Sequence, residues 1–140
     1  MDPHKISKAL DNHQNEIILS LSSKKIKELN LKIINELYLP KKNALECMKK
    51  LDGYRYVDEI NDLKNGAYIR WINITDHSNL KLSRGATVCD IKISDKGTFI
   101  NCKNSYGNSH FNILMDSCLV FQKLTDEENI ILSVVNYLDK

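Results

Sequence analysis

The sequence predicts an α+β protein, a small antiparallel β-barrel with helices before it and one helix after it. Three observations carry that reading. Residues 54–123 alternate apolar and polar positions in short runs, the period of half-buried strands. Those runs are broken at Lys64-Asn65-Gly66, Ser83-Arg84-Gly85, Asp95-Lys96-Gly97 and Ser105-Tyr106-Gly107-Asn108, so that four of the five glycines fall where a left-handed turn costs least. Outside this stretch the apolar residues recur at intervals of three and four, the spacing of helices. Short strands with a turn roughly every 8–12 residues are the pattern of a small barrel or sandwich.

The chain divides into a helical extension over 1–52, the barrel over 53–123, and a helix over 124–140 that packs on the same unit. Ile6, Leu10, His13, Ile17 and Leu21 outline a first helix. Ser22 or Ser23 caps a second, which places Ile26, Leu29, Ile33, Ile34 and Leu37 on one stripe. Pro40 stops it and opens a third, short helix through Leu45, Met48 and Leu51, which Asp52-Gly53 ends. Thr125-Asp126-Glu127-Glu128 is a capping box that starts the last helix, with Ile130, Ile131, Val134, Val135 and Leu138 on its apolar side.

The expected strands are 54–59, 67–74, 87–94, 98–103, 109–114 and 118–123, with a short one at 80–82. In 67–74, Ile69 and Trp71 share one face, while Tyr68, Arg70 and Ile72 share the other. In 87–94, Cys89, Ile91 and Ile93 point one way, with Asp90 and Lys92 opposite.

Size and composition narrow the function classes. A chain of 140 residues holds one ordinary core, and 42% hydrophobic with 27% charged residues is the composition of a globular protein. A net charge of +2 is too small for global attraction to nucleic acid, so any such binding needs a local patch. No apolar run is long enough for a membrane span and the first residues do not resemble a secretion signal, so the expectation is an intracellular protein. Cys47, Cys89, Cys102 and Cys118 form no C-x-x-C pair and read as reduced, mostly buried thiols.

Catalytic motifs are missing from the sequence: there is no phosphate-cradling glycine loop, nucleophile elbow or H-E-x-x-H, and no histidine stands at metal-ligand spacing. No catalytic residue, metal or cofactor is therefore expected. Cys89 and Cys102 with His110 are the one conceivable nucleophile set, but strand alternation puts both thiols among core positions.

The stronger candidate is a binding face. All three arginines lie in the barrel region: Arg55 between Tyr54 and Tyr56, Arg70 two residues after Tyr68, and Arg84 before Gly85. Guanidinium beside aromatic rings suits phosphate contact with base stacking. The candidate contact residues are Arg55, Tyr56, Tyr68, Arg70, Lys81 and Arg84, with Lys103 close by. Against this stands the ordinary use of tyrosine and arginine as strand formers and solvated edge residues. Lys24, Lys25, Lys27, Lys32, Lys41, Lys42, Lys49 and Lys50 make the helices basic, but Glu28, Glu36 and Glu46 interleave as on a solvated face.

The run from Asp62-Leu63-Lys64-Asn65-Gly66 through Ala67-Tyr68-Ile69-Arg70-Trp71 is followed by Leu80, Gly85 and Val88, then Ile100-Asn101-Cys102-Lys103-Asn104 and Phe121-Gln122-Lys123. Over 54–123 this resembles a small β-barrel domain of short proteins from large nucleocytoplasmic DNA viruses. A composition in which Lys, Ile and Asn make up 48 of 140 residues points to AT-rich codons and agrees with such a source. The resemblance implies a viral protein of the host cytoplasm, at the viral factory, or of the virion, and supplies no catalytic residue. In shape the stretch also resembles Src-homology, Tudor and KOW barrels, which bind ligands in aromatic grooves; Tyr54, Tyr56, Tyr68 and Tyr106 are the matching positions.

Two functions follow as expectations. One is a non-enzymatic binding module that contacts nucleic acid or a viral or host protein through its basic and aromatic face. The alternative is a structural or assembly protein whose helices mediate protein contacts, including a homo-oligomer. Neither engages a membrane.

Overall fold

The computed structural model describes residues 3–5 and 21–138. Residues 3–5 are helical; the rest of the first expected helix, from Ile6 to Ile17, lies outside the described residues. Ser22 caps α1 (Ser23–Asn35), its hydroxyl accepting from the Lys25 amide at 3.2 Å. Tyr38 takes φ +52° after that helix, and Pro40 then stands at the N-cap of α2 (Lys41–Lys50). Gly53, at φ +84°, turns the chain into the sheet.

The strands are β1 (Tyr54–Val57), β2 (Tyr68–Asn73), β3 (Ala86–Ser94), β4 (Gly97–Lys103), β5 (His110–Leu114) and β6 (Cys118–Lys123). The expected strand at 80–82 is reduced to a single bridge between Ile72 and Leu82. All ladders are antiparallel, in the order β1-β6-β2-β3-β4-β5. The expected closed barrel is corrected here: β1 and β5 are the two ends of that order, so the sheet is open. Both end strands are short, four and five residues, and offer little ladder with which to close.

The sheet nevertheless curls. Val57, Ile69, Val88, Ile100, Cys102 and Val120 form a buried cluster on its inner face, joined by Leu63 and Met115 and, among the described residues, by none from the α-helices. Ile69, Trp71, Ile91 and Ile113 all belong to this side, and Trp71 packs on Phe111 at 5.8 Å. In β3, Ile91 and Ile93 share one face with Asp90 and Lys92 on the other, as expected, but Cys89 does not join them: the register shifts between Val88 and Asp90, and the bulge leaves Cys89 exposed. Ile93, near the strand end, is 72% exposed.

The outer face of β1, β6 and β2 is covered by α1 and α2, through Ile34, Cys47, Leu51, Ile72 and Phe121. The last helix, α3 (Asp126–Leu138), packs on α1 through Ile26, Ile131 and Leu132. Its capping box forms as expected: Thr125 N–H donates to Glu128 Oε1 at 3.0 Å, and Glu128 N–H donates to Thr125 Oγ1 at 3.1 Å. No helix among the described residues is long and apolar enough to cross a membrane.

Candidate functional site

Opposite residues in an antiparallel ladder share a face, so the register locates every candidate. Tyr54 is opposite Lys123, Tyr68 opposite Thr87, Thr87 opposite Lys103, and Lys103 opposite His110. Ile69 is opposite Gln122, which brings Tyr68 beside Lys123. One outer row therefore crosses all six strands: Tyr54, Lys123, Tyr68, Thr87, Lys103, His110. At a strand spacing of about 4.8 Å it is about 24 Å long. Lys123, Lys103 and His110 are exposed, and the row contains no carboxylate. The nearest row begins Tyr56, Phe121, Arg70.

Arg70 and Arg84 flank this row because segment 82–85 is laced onto β2. Ser83 N–H donates to Trp71 O, and Ser83 Oγ accepts from Trp71 N–H. Arg70 Nε donates to Ser83 O, and Tyr68 Oη donates to Arg84 O, both at 2.9 Å. Gly85 makes this close lacing possible. At φ +101°, a Cβ there would stand 2.5 Å from Tyr68 Cε1 and 2.7 Å from Ile69 O. The Arg84 and Lys81 side chains remain exposed. Arg70 is half-buried, and its charge reaches Tyr54 and Cys47: burial pushes both their pKa values up, while Arg70 pulls each the other way, joined at Cys47 by Lys50.

Three of the six candidates thus come together: Tyr68, Arg70 and Arg84. Lys81 precedes the Ile72–Leu82 bridge and lines a separate cleft with Glu46, Cys47 and Lys50. The other two are turned away. Tyr56 packs its ring on Phe121 at 5.6 Å beneath the helices. Arg55 alternates with Tyr54 and Tyr56, so it points to the inner side, where it is 4% exposed. Its Nε lies 3.5 Å from Oε2 of Glu128, which is fully buried and also 3.6 Å from Lys64 Nζ. Neither residue is placed for surface contact. Sequence reasoning missed Lys123 and His110, whose membership depends on register between strands distant in the chain.

The thiol set does not assemble as a nucleophile pair. Cys102 is opposite Phe111 on the inner side, where burial raises its pKa to about 11, whereas His110 is on the outer face with Nδ1 3.2 Å from Asn101 Oδ1. Cys89 is exposed, against the expectation that it is a core residue. Among the described residues no group of three His, Cys, Asp or Glu side chains is placed to hold a metal. The helical lysines are exposed, and Lys24 pairs with Glu28 at 3.9 Å across one helical turn. No protein-family model, curated protein or solved structure matches this chain.

Proposed function

We propose that this protein is a non-enzymatic binding module that holds a nucleic-acid strand across the outer face of its sheet. The observation that carries the reading is the register row from Lys123 through Tyr68, Thr87 and Lys103 to His110, flanked by Arg70 and Arg84. Cations spaced across strands meet successive phosphates, and the Tyr68 ring offers a face on which a base stacks. On this reading the sheet works with its exterior, as Src-homology, Tudor and KOW barrels work with theirs. A role at a viral factory or in a virion, in contact with nucleic acid or nucleoprotein, fits this chemistry.

The test is fluorescence anisotropy with short labelled oligonucleotides over a series of salt concentrations. Affinity is expected to fall with log salt at a slope of about −0.7 to −0.9 per phosphate contacted. Arg84→Glu and Lys103→Glu are expected to flatten that slope, while Lys24→Glu leaves it unchanged. No retention at low salt, or equal losses in all three variants, overturns the proposal. Capture of a protein by the same face, without nucleic acid, would favour the assembly role instead.

A further inference from the structure

We infer that the free edge of β5 pairs antiparallel with β5 of a second copy of this chain, joining two open sheets into one. β5 ends the strand order, and among the described residues no strand pairs with its far side. The contact uses the edge of the sheet and leaves the outer row open, so it stands independently of the nucleic-acid reading.

Ladder parity shows what that edge offers. Asn104 N–H donates to Ser109 O at 3.0 Å, so these two residues form a hydrogen-bonded pair. Bonded and non-bonded pairs alternate along an antiparallel ladder, and Lys103 is opposite His110. The bonds to β4 therefore come from Phe111 and Ile113. The N–H and C=O groups of His110 and Asn112, with the N–H of Leu114, point away from β4. Such a row is a template for another strand unless charge, proline or a bulge blunts it. β5 reads His110-Phe111-Asn112-Ile113-Leu114, with no lysine, carboxylate or proline, and its ladder to β4 runs without a bulge. At the other end of the sheet, by contrast, the side chain of Asn30 occupies the edge of β1.

A second β5 fits this edge because the outward groups are symmetric about Asn112. Placing Asn112 opposite its own copy sets His110 against Leu114 of the second copy, and Phe111 against Ile113 of the second copy. Phe111 and Ile113 are both half-buried on the inner side, with the Phe111 ring 5.8 Å from Trp71. An aromatic residue opposite a β-branched one stabilises a ladder, and this pair continues the inner core across the join. On the outer side Asn112 Oδ1 accepts from Asn101 Nδ2 at 2.9 Å, which leaves the Asn112 amino group for the opposite carboxamide. The charges agree with this register. The end carrying Lys103 and His110 meets the end of the copy where Asp95 and Asp116 flank Lys96. A contact of five residues is small, so the dimer is a reversible one.

Sedimentation equilibrium of the full chain, with its thiols kept reduced, is expected to show monomer and dimer in proportions that shift with concentration. Amide hydrogen exchange followed by NMR gives a strand-specific reading. The amides of His110, Asn112 and Leu114 should gain protection as concentration rises, while those of Phe111 and Ile113 are protected throughout. Asn112→Lys and Asn112→Asp each place like charges directly opposite, and each is expected to weaken the dimer by at least about tenfold. Mixing the two variants in equal amounts is expected to restore it, which also shows that both fold. A strict monomer up to about 1 mM leaves the edge to a strand of another protein, and overturns the inference. Dimerisation undiminished in either variant, no recovery in the mixture, or edge amides whose protection stays constant while the dimer dissociates would each overturn it equally.

Discussion

Asn30 holds Tyr56 in place by standing in for a missing strand: its Oδ1 accepts from Tyr56 N–H at 3.0 Å while its Nδ2 donates to Tyr54 O at 2.9 Å. β1 is an end strand, and its free edge would otherwise expose backbone donors and acceptors that invite pairing with another chain. A carboxamide offers a donor and an acceptor on separate atoms, the arrangement a strand edge requires, and Asn30 is only 2% exposed. Asn30→Leu keeps the volume and removes both partners. It is expected to cost about 2 kcal/mol, read as a lower urea midpoint at unchanged slope. A change below about 0.5 kcal/mol, the size of an ordinary surface substitution, would show that water replaces the carboxamide without penalty.

Gly85→Ala tests whether the lacing of segment 82–85 positions the outer face. The new methyl meets the Tyr68 ring and the Ile69 carbonyl, and the ring alone is free to move. Backbone contact together with φ +101° puts the expected cost at about 2–3 kcal/mol. Oligonucleotide affinity measured on the folded fraction should fall as well, because Tyr68 and Arg84 shift together. Full affinity at reduced stability would separate the lacing from binding.

What was legible in the sequence was local. Ser22 before an amphipathic run and Thr125 three residues from Glu128 each report a bond made within one turn, and both form, while Pro40 and Gly53 mark helix ends through their backbone angles alone. Strand identities were equally readable, since the Ile69 and Trp71 alternation is set by the pleat. The parts that escaped depend on distant partners. Arg55 looks like a surface cation between two tyrosines until Glu128 arrives from 73 positions along the chain. Asn30 in a helical stripe carries no sign that it will cap a strand edge. The bulge at Cys89 has no glycine to mark it, and it reverses the phase of β3. For the site, Arg70 and Arg84 were visible as residues, while Lys123 and His110 enter only through ladder register.

The Arg55–Glu128 pair is expected to show strong non-additivity. Arg55→Met alone leaves a fully buried carboxylate with Lys64 as its remaining cation, and should cost about 3–5 kcal/mol. Glu128→Gln alone keeps the capping acceptor but strands the guanidinium. The double variant removes both charges and should recover at least about half of the loss, giving a coupling of about 2 kcal/mol in a urea-denaturation cycle. Additive losses would mean that the two side chains act through packing alone.

Cys102 links the inner core to alkaline pH. The unfolded thiol ionises near its ordinary value of 9, whereas burial holds the folded one at about 11. Between those values the unfolded chain binds fewer protons than the native one, so stability falls as pH rises and the loss levels off above the folded value. Two units of difference correspond to about 2–3 kcal/mol, all of it present below pH 9. Burial raises Cys47, Cys118, Tyr54 and Tyr56 in the same direction, so the wild-type decline should be steeper than one group explains. Cys102→Ala removes its share at the expense of a small cavity. The variant should therefore be less stable than wild type at neutral pH, and the gap should narrow by about 2 kcal/mol in urea titrations carried to about pH 11. A constant gap across that range would show that the Cys102 thiolate is accommodated inside the sheet. Thiol-reagent kinetics provide a second reading: under native conditions the exposed Cys89 should react first, and Cys102 only as the chain unfolds.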